Sequence, residues 1–318
     1  MTRLRNERGQ TLVLSVLFLT VLLGMAALVL DVGAWYRADR DTQTTADAAA
    51  LAAAQELPDS PAEAIDVAVA YGDKNGGSVE AADVTFGSKY MTNDTVFVDV
   101  ERPSPGFFAK LFGIETVTVG SKAAARAGTP AEALYVAPIV VNEKHEKLVG
   151  NCFGTPTSSN GCETTLTYHH LKADSGKGKE AEPDGAGSFG FINLNQDNSN
   201  PGTSTLGTWI TNGFDKFMKP GDYQARTGNP FSSSHVGDSL SSKIGEELLF
   251  PIYRKLTGTG SGAKYEIVGW VGFHLTGHNL TGSNEKLEGW FTRVVWGGIQ
   301  GSTGSSFSPG VRVVELVD

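Results

Sequence analysis

The stretch that decides the fold runs from Arg5 to Gln55, RNERGQTLVLSVLFLTVLLGMAALVLDVGAWYRADRDTQTTADAAALAAAQ. Within it, Thr11 to Leu30 contains no Asp, Glu, Lys or Arg. About twenty helical residues at 1.5 Å each span roughly 30 Å, the thickness of a bilayer's hydrocarbon core. A cleavable signal has a shorter apolar region ending in a small-x-small site, which Gly24-Met25-Ala26 imitates, but here the apolar run continues to Leu30. The length favours an uncut anchor over a cleaved signal, and both readings export the rest of the chain. Arg3, Arg5 and Arg8 precede the run, whereas Asp31, Asp39, Asp41 and Asp47 outnumber Arg37 and Arg40 after it. The positive-inside rule then predicts a cytoplasmic basic start over 1–10 and a single-pass transmembrane helix over 11–32 of a cell-membrane protein, with the bulk of the chain extracytoplasmic.

The pattern stays helical beyond the membrane, because Ala, Gln, Arg and Leu dominate Ala34 to Leu57 and no proline occurs before Pro58. Ala46, Ala49, Ala50, Ala53 and Leu57 fall at helical spacing and form a smooth stripe where another backbone can approach closely. Two packings fit such a stripe, one against the chain's own domain and one between subunits. The first is favoured, since most amphipathic helices serve their own core. Asp47 reads as a polar position on the same helix.

The whole chain has 318 residues, 40% of them hydrophobic, which suffices for one large or two ordinary domains beyond the anchor. Its formal net charge of -9 excludes nucleic acid as a partner, because the phosphate backbone would be repelled. The 39 glycines, with frequent Asn, Ser and Thr in the second half, point to many turns joining short strands.

Several pieces in order carry a family resemblance: RGQ before the apolar run, DVG closing it at Asp31, Gln43, TADAAALAAA after it, and VFVDVERPSPGFFAKLFGIETVTVGSKAAARAG from Val96 to Gly128. They resemble the TadE/TadG-like family of Flp (tight-adherence) pilus-assembly proteins. The resemblance implies a membrane-anchored structural component with pilus-assembly proteins or copies of itself as partners, and a pilin-like long helix covered by a small antiparallel sheet over 33–128. Two departures stand out. Counted from Gly9, the fifth residue is Leu14, where a pilin-type leader has Glu, so processing by a prepilin peptidase is not implied. The Asp-x-Ser-x-Ser pentapeptide of the von Willebrand A domain carried by some larger TadG-like proteins is missing from the sequence.

Between these pieces, PAEAIDVAVAYGDKNGG reads as a short helix with Ala62, Ile65, Ala68 and Val69 apolar, stopped by Gly76-Gly77. Val96, Val98 and Val100 share one strand face with Phe97 opposite, and Val117 and Val119 share one face of a second strand. The apolar stretch joining them reads as a turn of helix. Residues 127–130 form a linker, and 131–318 read as a β-rich extracytoplasmic domain, an antiparallel sandwich or barrel. Its best strand candidates are ELLFPIYRK, KYEIVGWVGFHLTG, LEGWFTRVVW and VRVVELV, arranged as a meander, with weaker ones in ALYVAPIVV, TTLTYHHL and SFGFINL. Short helices are expected at Leu206–Phe217 and Ser239–Glu247. The fold class is therefore α+β.

Chemical motifs are sparse. His274 and His278 lie four apart on a strand pattern, not on the helical face that makes such a pair a metal site, and His169 and His170 point to opposite strand faces. Asn193, Asn195 and Asp197 supply oxygens at alternating positions, yet Asn198 and Ser204 stand where a calcium loop has Gly and Glu, so a hydrogen-bonded loop is the better reading. DSGKGKE lacks the Walker spacing, and no Gly-x-Ser-x-Gly elbow occurs. Cys152 and Cys162 close the loop CFGTPTSSNGC on the exported side, where a disulfide forms; a zinc reading would need further ligands, with His145 alone close by in sequence. No metal or cofactor is expected. The alternatives to a pilus component are an anchored binding module, using Trp270, Trp290 and Trp296 as exposed contacts although core packing is favoured for all three, and an anchored hydrolase with carboxylates brought together from distant strands.

Overall fold

A computed structural model of the chain describes residues 8–150, 152–157, 161–168, 188–197, 199–258, 260–281, 285–301 and 309–317. They form two compact units, one comprising the chain up to Arg126 together with the residues from Glu315 on, the other Ala127–Val314.

Helix α1 (Arg8–Ala54) dominates the first unit and runs 47 residues without a break. Its first half is long and apolar enough to cross a membrane, and its large apolar side chains from Leu12 to Leu30 are exposed. Its second half is the reverse: Thr42, Thr45, Ala46, Ala49, Ala50 and Ala53 are buried, repeating every three or four residues so that one narrow face meets the rest of the unit. That face packs on helix α2 (Pro61–Lys74) and on an antiparallel sheet of β1 (Val84–Gly87), β2 (Thr95–Pro105) and β3 (Thr116–Gly128), ordered β1-β2-β3. The buried residues of α2 are Ala64, Ala68 and Gly72, whereas Ala62 is exposed and Ile65 and Val69 only half-buried. The larger apolar residues named from sequence thus flank the contact, because two helices approach closely only where both present small side chains. On β2, Val96, Val98 and Val100 are buried and Phe97 is exposed. The register pairs Pro105 with Thr116, so β2 and β3 are joined by residues 106–115, which contain a 3-10 turn, Ala109–Phe112.

The second unit contains β4 (Pro130–Ala133), β5 (Ile139–Asn142), α3 (Glu146–Val149), β6 (Thr164–Tyr168), β7 (Ser188–Phe191), α4 (Thr203–Asn212), β8 (Gly221–Gln224), α5 (Ser234–Ser241), β9 (Glu247–Thr257), β10 (Lys264–Asn279), β11 (Lys286–Thr292), β12 (Val294–Val295), β13 (Gly298–Gln300) and β14, which begins at Val311. Seven strands follow the order β11-β6-β7-β5-β9-β10-β8, and a further pairing between β11 and β10 closes six of them into a ring. Closure rests on the length of β10. One of its edges pairs with β9 from Lys264 to His274; the other serves β8 at Lys264–Ile267 and β11 at Gly272–Asn279. The ring is a barrel of mixed direction, since β5 with β9 and β6 with β7 run parallel, which corrects the all-antiparallel expectation.

Three further expectations change. The meander holds for β9, β10 and β11, but VRVVELV does not continue it: Val311 and Arg312 pair in parallel with Val294 and Val295. The first short helix is α4, which begins before Leu206 and ends at Gly213, whose φ of 74° stops it and frees Phe214 to bond with Val136. The second, α5, ends by Ser241. Tyr265 shows why the ring can close: a Cβ at Gly190 on β7 would collide with its hydroxyl, a contact between strands that are not neighbours in the ladder and therefore one that crosses the ring. Aromatic pairs line the same core, with ring centroids 4.7 Å apart for Tyr253 and Tyr265 and 5.1 Å for Phe250 and Phe273.

Ala49 and Ala50 are fully buried. Replacing either by Leu is expected to cost about 1–3 kcal/mol through overpacking of this buried face. The measurement is the unfolding midpoint of the full-length protein in detergent; a midpoint equal to that of the unaltered chain would show that this face yields.

Candidate functional site

The site that the first unit builds lies where α1 leaves its apolar half. Asp31 is the first charged residue after the uncharged run and is 2% exposed although its neighbours Leu30 and Val32 are open. Its carboxylate accepts backbone N–H bonds from Phe107 at 2.9 Å, Phe108 at 3.0 Å and Ala109. These donors open the 3-10 turn, so Asp31 caps it from far away in sequence, satisfying N–H groups that the turn leaves orphaned. The turn closes on itself through Gly106 N–H to the Glu115 carbonyl at 2.9 Å and Ile114 N–H to the Ala109 carbonyl at 3.1 Å. The sequence carried a signal for this capture, a lone carboxylate at the end of an uncharged run together with a glycine-bounded apolar turn, but nothing local joins the two.

From there β2 and β3 follow α1 away from the apolar half. The Ser121 hydroxyl bonds the Asp39 carbonyl, and the Gln43 amide donates to Asp47 at 2.7 Å and to the Lys122 carbonyl. Asp47 is half-buried and engages Gln43 through one oxygen. Beside it an open groove of about 970 Å³ is lined by Asp47, Glu80, Asp83, Phe97, Asp99 and Lys122, with Lys122 ion-paired to Asp99. Farther along, Asp94 is fully buried and gathers the N–H groups of Lys89, Tyr90 and Met91 and the Thr95 hydroxyl. Burial opposes its ionisation, but the donors from Lys89, Met91 and Tyr90 outweigh that and hold its carboxyl below the ordinary value.

In the second unit Cys152 and Cys162 form a disulfide with Cα atoms 5.4 Å apart. His145 does not join them. It is 9% exposed, lies edge-on to Phe291 and accepts the Lys147 N–H at Nδ1, capping α3. Burial lowers its pKa. His274 stacks on Trp290 with centroids 4.2 Å apart and bonds Glu247 at 2.9 Å, while His278 faces the Ser241 hydroxyl at 2.8 Å, so the two histidines serve different partners. Ser241 is exposed, and the His278 imidazole beside it also meets the Gly237 backbone. His169, His170 and the DSGKGKE segment lie outside the described residues. Asn193 is fully buried and donates its amide to Asp197 and to the Ser199 carbonyl, while Ser199 donates to the Asp197 carboxylate; the oxygens are taken up by a hydrogen-bonded loop. Among the described residues no group of three His, Cys, Asp or Glu could hold a metal ion. Trp270 is fully buried, Trp296 is half-buried against the core and donates to the Leu134 carbonyl, and Trp290 is half-buried with His274 stacked on it.

What the first unit defines is a long-helix scaffold whose exposed apolar end is joined to a small sheet by one buried carboxylate. Residues 9–56, nearly the whole of α1 and its exit, match the protein family described as Putative Flp pilus-assembly TadE/G-like. No curated protein matches the chain, and no solved structure does.

The buried carboxylate and the disulfide each lead to a measurable outcome. Because the folded pKa of Asp94 is depressed, its contribution to stability is complete above the unfolded carboxylate value of about 3.9 and is lost as pH falls through the folded value; Asp94→Ala, leaving three N–H groups without their acceptor, is expected to cost about 1–3 kcal/mol at neutral pH and to flatten that acid loss in a pH series of unfolding midpoints. Replacing both cysteines by Ser is expected to cost about 2.5–3 kcal/mol for a loop of this size. Denaturant unfolding with and without reductant reads it: the unaltered protein should be weakened by reductant and the double variant should not respond.

Proposed function

We propose that this chain is a membrane-anchored extracytoplasmic structural component of a Flp/Tad-type pilus-assembly or adhesion apparatus. In this reading 1–10 is a cytoplasmic start, 11–32 spans the membrane, 33–128 is the TadE/G-like helix and sheet, and 131–318 is an extracytoplasmic β-rich domain. The observation that carries it is the composition of α1 as one unbroken helix: an exposed apolar half, which in water would be an aggregation hazard and in lipid is at rest, and a buried alanine half that packs on the unit's own sheet. The family match of residues 9–56 falls on that helix. The disulfide supports placing the second unit on the oxidising side of the membrane. With its alanine face already occupied by α2 and β2, the chain would meet assembly partners through other surfaces, and its contribution would be structural rather than catalytic.

The test is a clean deletion in the strain of origin, scored for surface pili and adhesion, complemented by the full chain, and paired with protease shaving of spheroplasts. Loss of piliation with restoration on complementation, and digestion of 59–318 from outside with a membrane-retained N-terminus, are the expected results. Full piliation in the deletion strain would remove the pilus reading, and a soluble product beginning near Ala27 would replace the anchor by a signal peptide.

A further inference from the structure

The turn that Asp31 holds is built from GFFAKLFGI, and its apolar side chains have no cover. Phe107 is 57% exposed, Leu111 78%, Phe112 86% and Ile114 46%; Leu111 and Phe112 are more open than any large apolar side chain of α1. A contiguous patch of this kind on a rigid support marks an interaction surface. The support is rigid because the turn is tied to Asp31 by three N–H bonds and closed by its own backbone bonds.

Its position says what covers it. Going down β2, the residues beside α1 descend in step with the helix: Glu101 and Arg102 line one groove with Thr42 and Thr45, and Ser104, Pro105 and Phe107 line another, of about 670 Å³, with Val29, Leu30 and Gly33. The turn therefore hangs at the level where α1 becomes uniformly apolar and open, and its apolar surface is continuous with that of the helix. The charges around it are mixed: Lys110 is exposed within the turn and Glu115 follows it, while Arg37, Asp41 and Arg102 border the lower groove, Arg102 donating to the Gly76 carbonyl. Aromatic and aliphatic tips flanked by Lys and Arg suit the boundary between acyl chains and phosphate headgroups, where long cationic side chains reach up to the phosphates.

We infer that the Phe107–Ile114 turn is a second membrane contact, which Asp31 holds against α1 so that Phe107, Leu111 and Phe112 insert into the extracytoplasmic leaflet while Lys110 meets its phosphate groups. This rests on the reading of α1 as a membrane anchor. Two contacts to one leaflet would fix the tilt and rotation of α1, which a lone helix leaves free.

The test uses the full-length protein reconstituted in phosphatidylcholine/phosphatidylglycerol vesicles, with the native cysteines kept in their disulfide. Single variants Phe112→Cys, Leu22→Cys and Asp73→Cys carry an environment-sensitive fluorophore, and nitroxide-labelled lipids serve as depth-resolved quenchers. Expected are deep quenching at position 22, no quenching at position 73 on the exposed side of α2, and at position 112 a blue-shifted emission quenched severalfold more by shallow than by deep nitroxides, at a depth of about 5–10 Å. In the Asp31→Ala background the signal at position 112 should lose most of its quenching while that at position 22 is unchanged. Quenching at position 22 with water-like emission at position 112 would overturn the proposal and leave the anchor intact. Lack of quenching at position 22 would overturn the anchor itself. Emission at position 112 that is blue-shifted but insensitive to the lipid nitroxides, with disulfide-linked dimers of the unlabelled Phe112→Cys protein, would replace the bilayer by a second copy of the chain.

Discussion

Helix α1 joins an exposed half, long and apolar enough to cross a membrane, to a half packed on α2 and β2, and the first unit is organised around that change. In hydrocarbon every backbone N–H and C=O must find its partner inside the segment, which the unbroken hydrogen bonding of α1 supplies without help from water. Beyond Asp31 the requirement changes. The helix now needs a reason to stay ordered where water competes for its backbone, and it finds one in a narrow face of Ala and Thr on which α2 and β2 close. Small residues make this possible from both sides, with Ala64, Ala68 and Gly72 answering Ala46, Ala49 and Ala50, so that contact is between backbones at short range and little depends on the rotamers of large side chains.

Asp31 stands where the uncharged apolar run of α1 ends. A buried carboxylate is costly unless it is hydrogen-bonded, and the three donors of the β2–β3 turn offset that cost while fixing the turn itself. The arrangement is reciprocal: the turn supplies orphan N–H groups that need an acceptor, and the helix exit supplies an acceptor that needs donors. The sheet is thereby registered against α1 at its lower end, as Gln43 and Ser121 register it higher up.

The second unit solves a different problem. Its strands are short apart from β9 and β10, and edges of short strands are left open unless something closes them. The long strand β10 does so by offering one edge to β9 and dividing the other between β8 and β11, while register shifts near Ile267 and Leu275 bend it around the core. The aromatic residues of β7, β9, β10 and β11 then fill a closed ring, and Trp270 becomes a core residue.

The sequence by itself determined the apolar run and its length, the helical continuation through Ala53, the alternation of Val96, Val98 and Val100, the pairing of Cys152 with Cys162, and the strands β9 to β11, because each arises from a local period, a composition or a short loop. It also left the Asn193 loop without a calcium set for the same local reason, the wrong residue types at the ligand positions. Only the tertiary structure decided which face of α2 is buried, that Asp31 serves a turn 76 residues away, that two strand pairs run parallel, and that the segment after Gly310 leaves the meander. Those features are choices among partners distant in the chain, settled by which backbones can approach closely and which N–H groups still lack an acceptor, and neither quantity is written in the neighbourhood of any one residue.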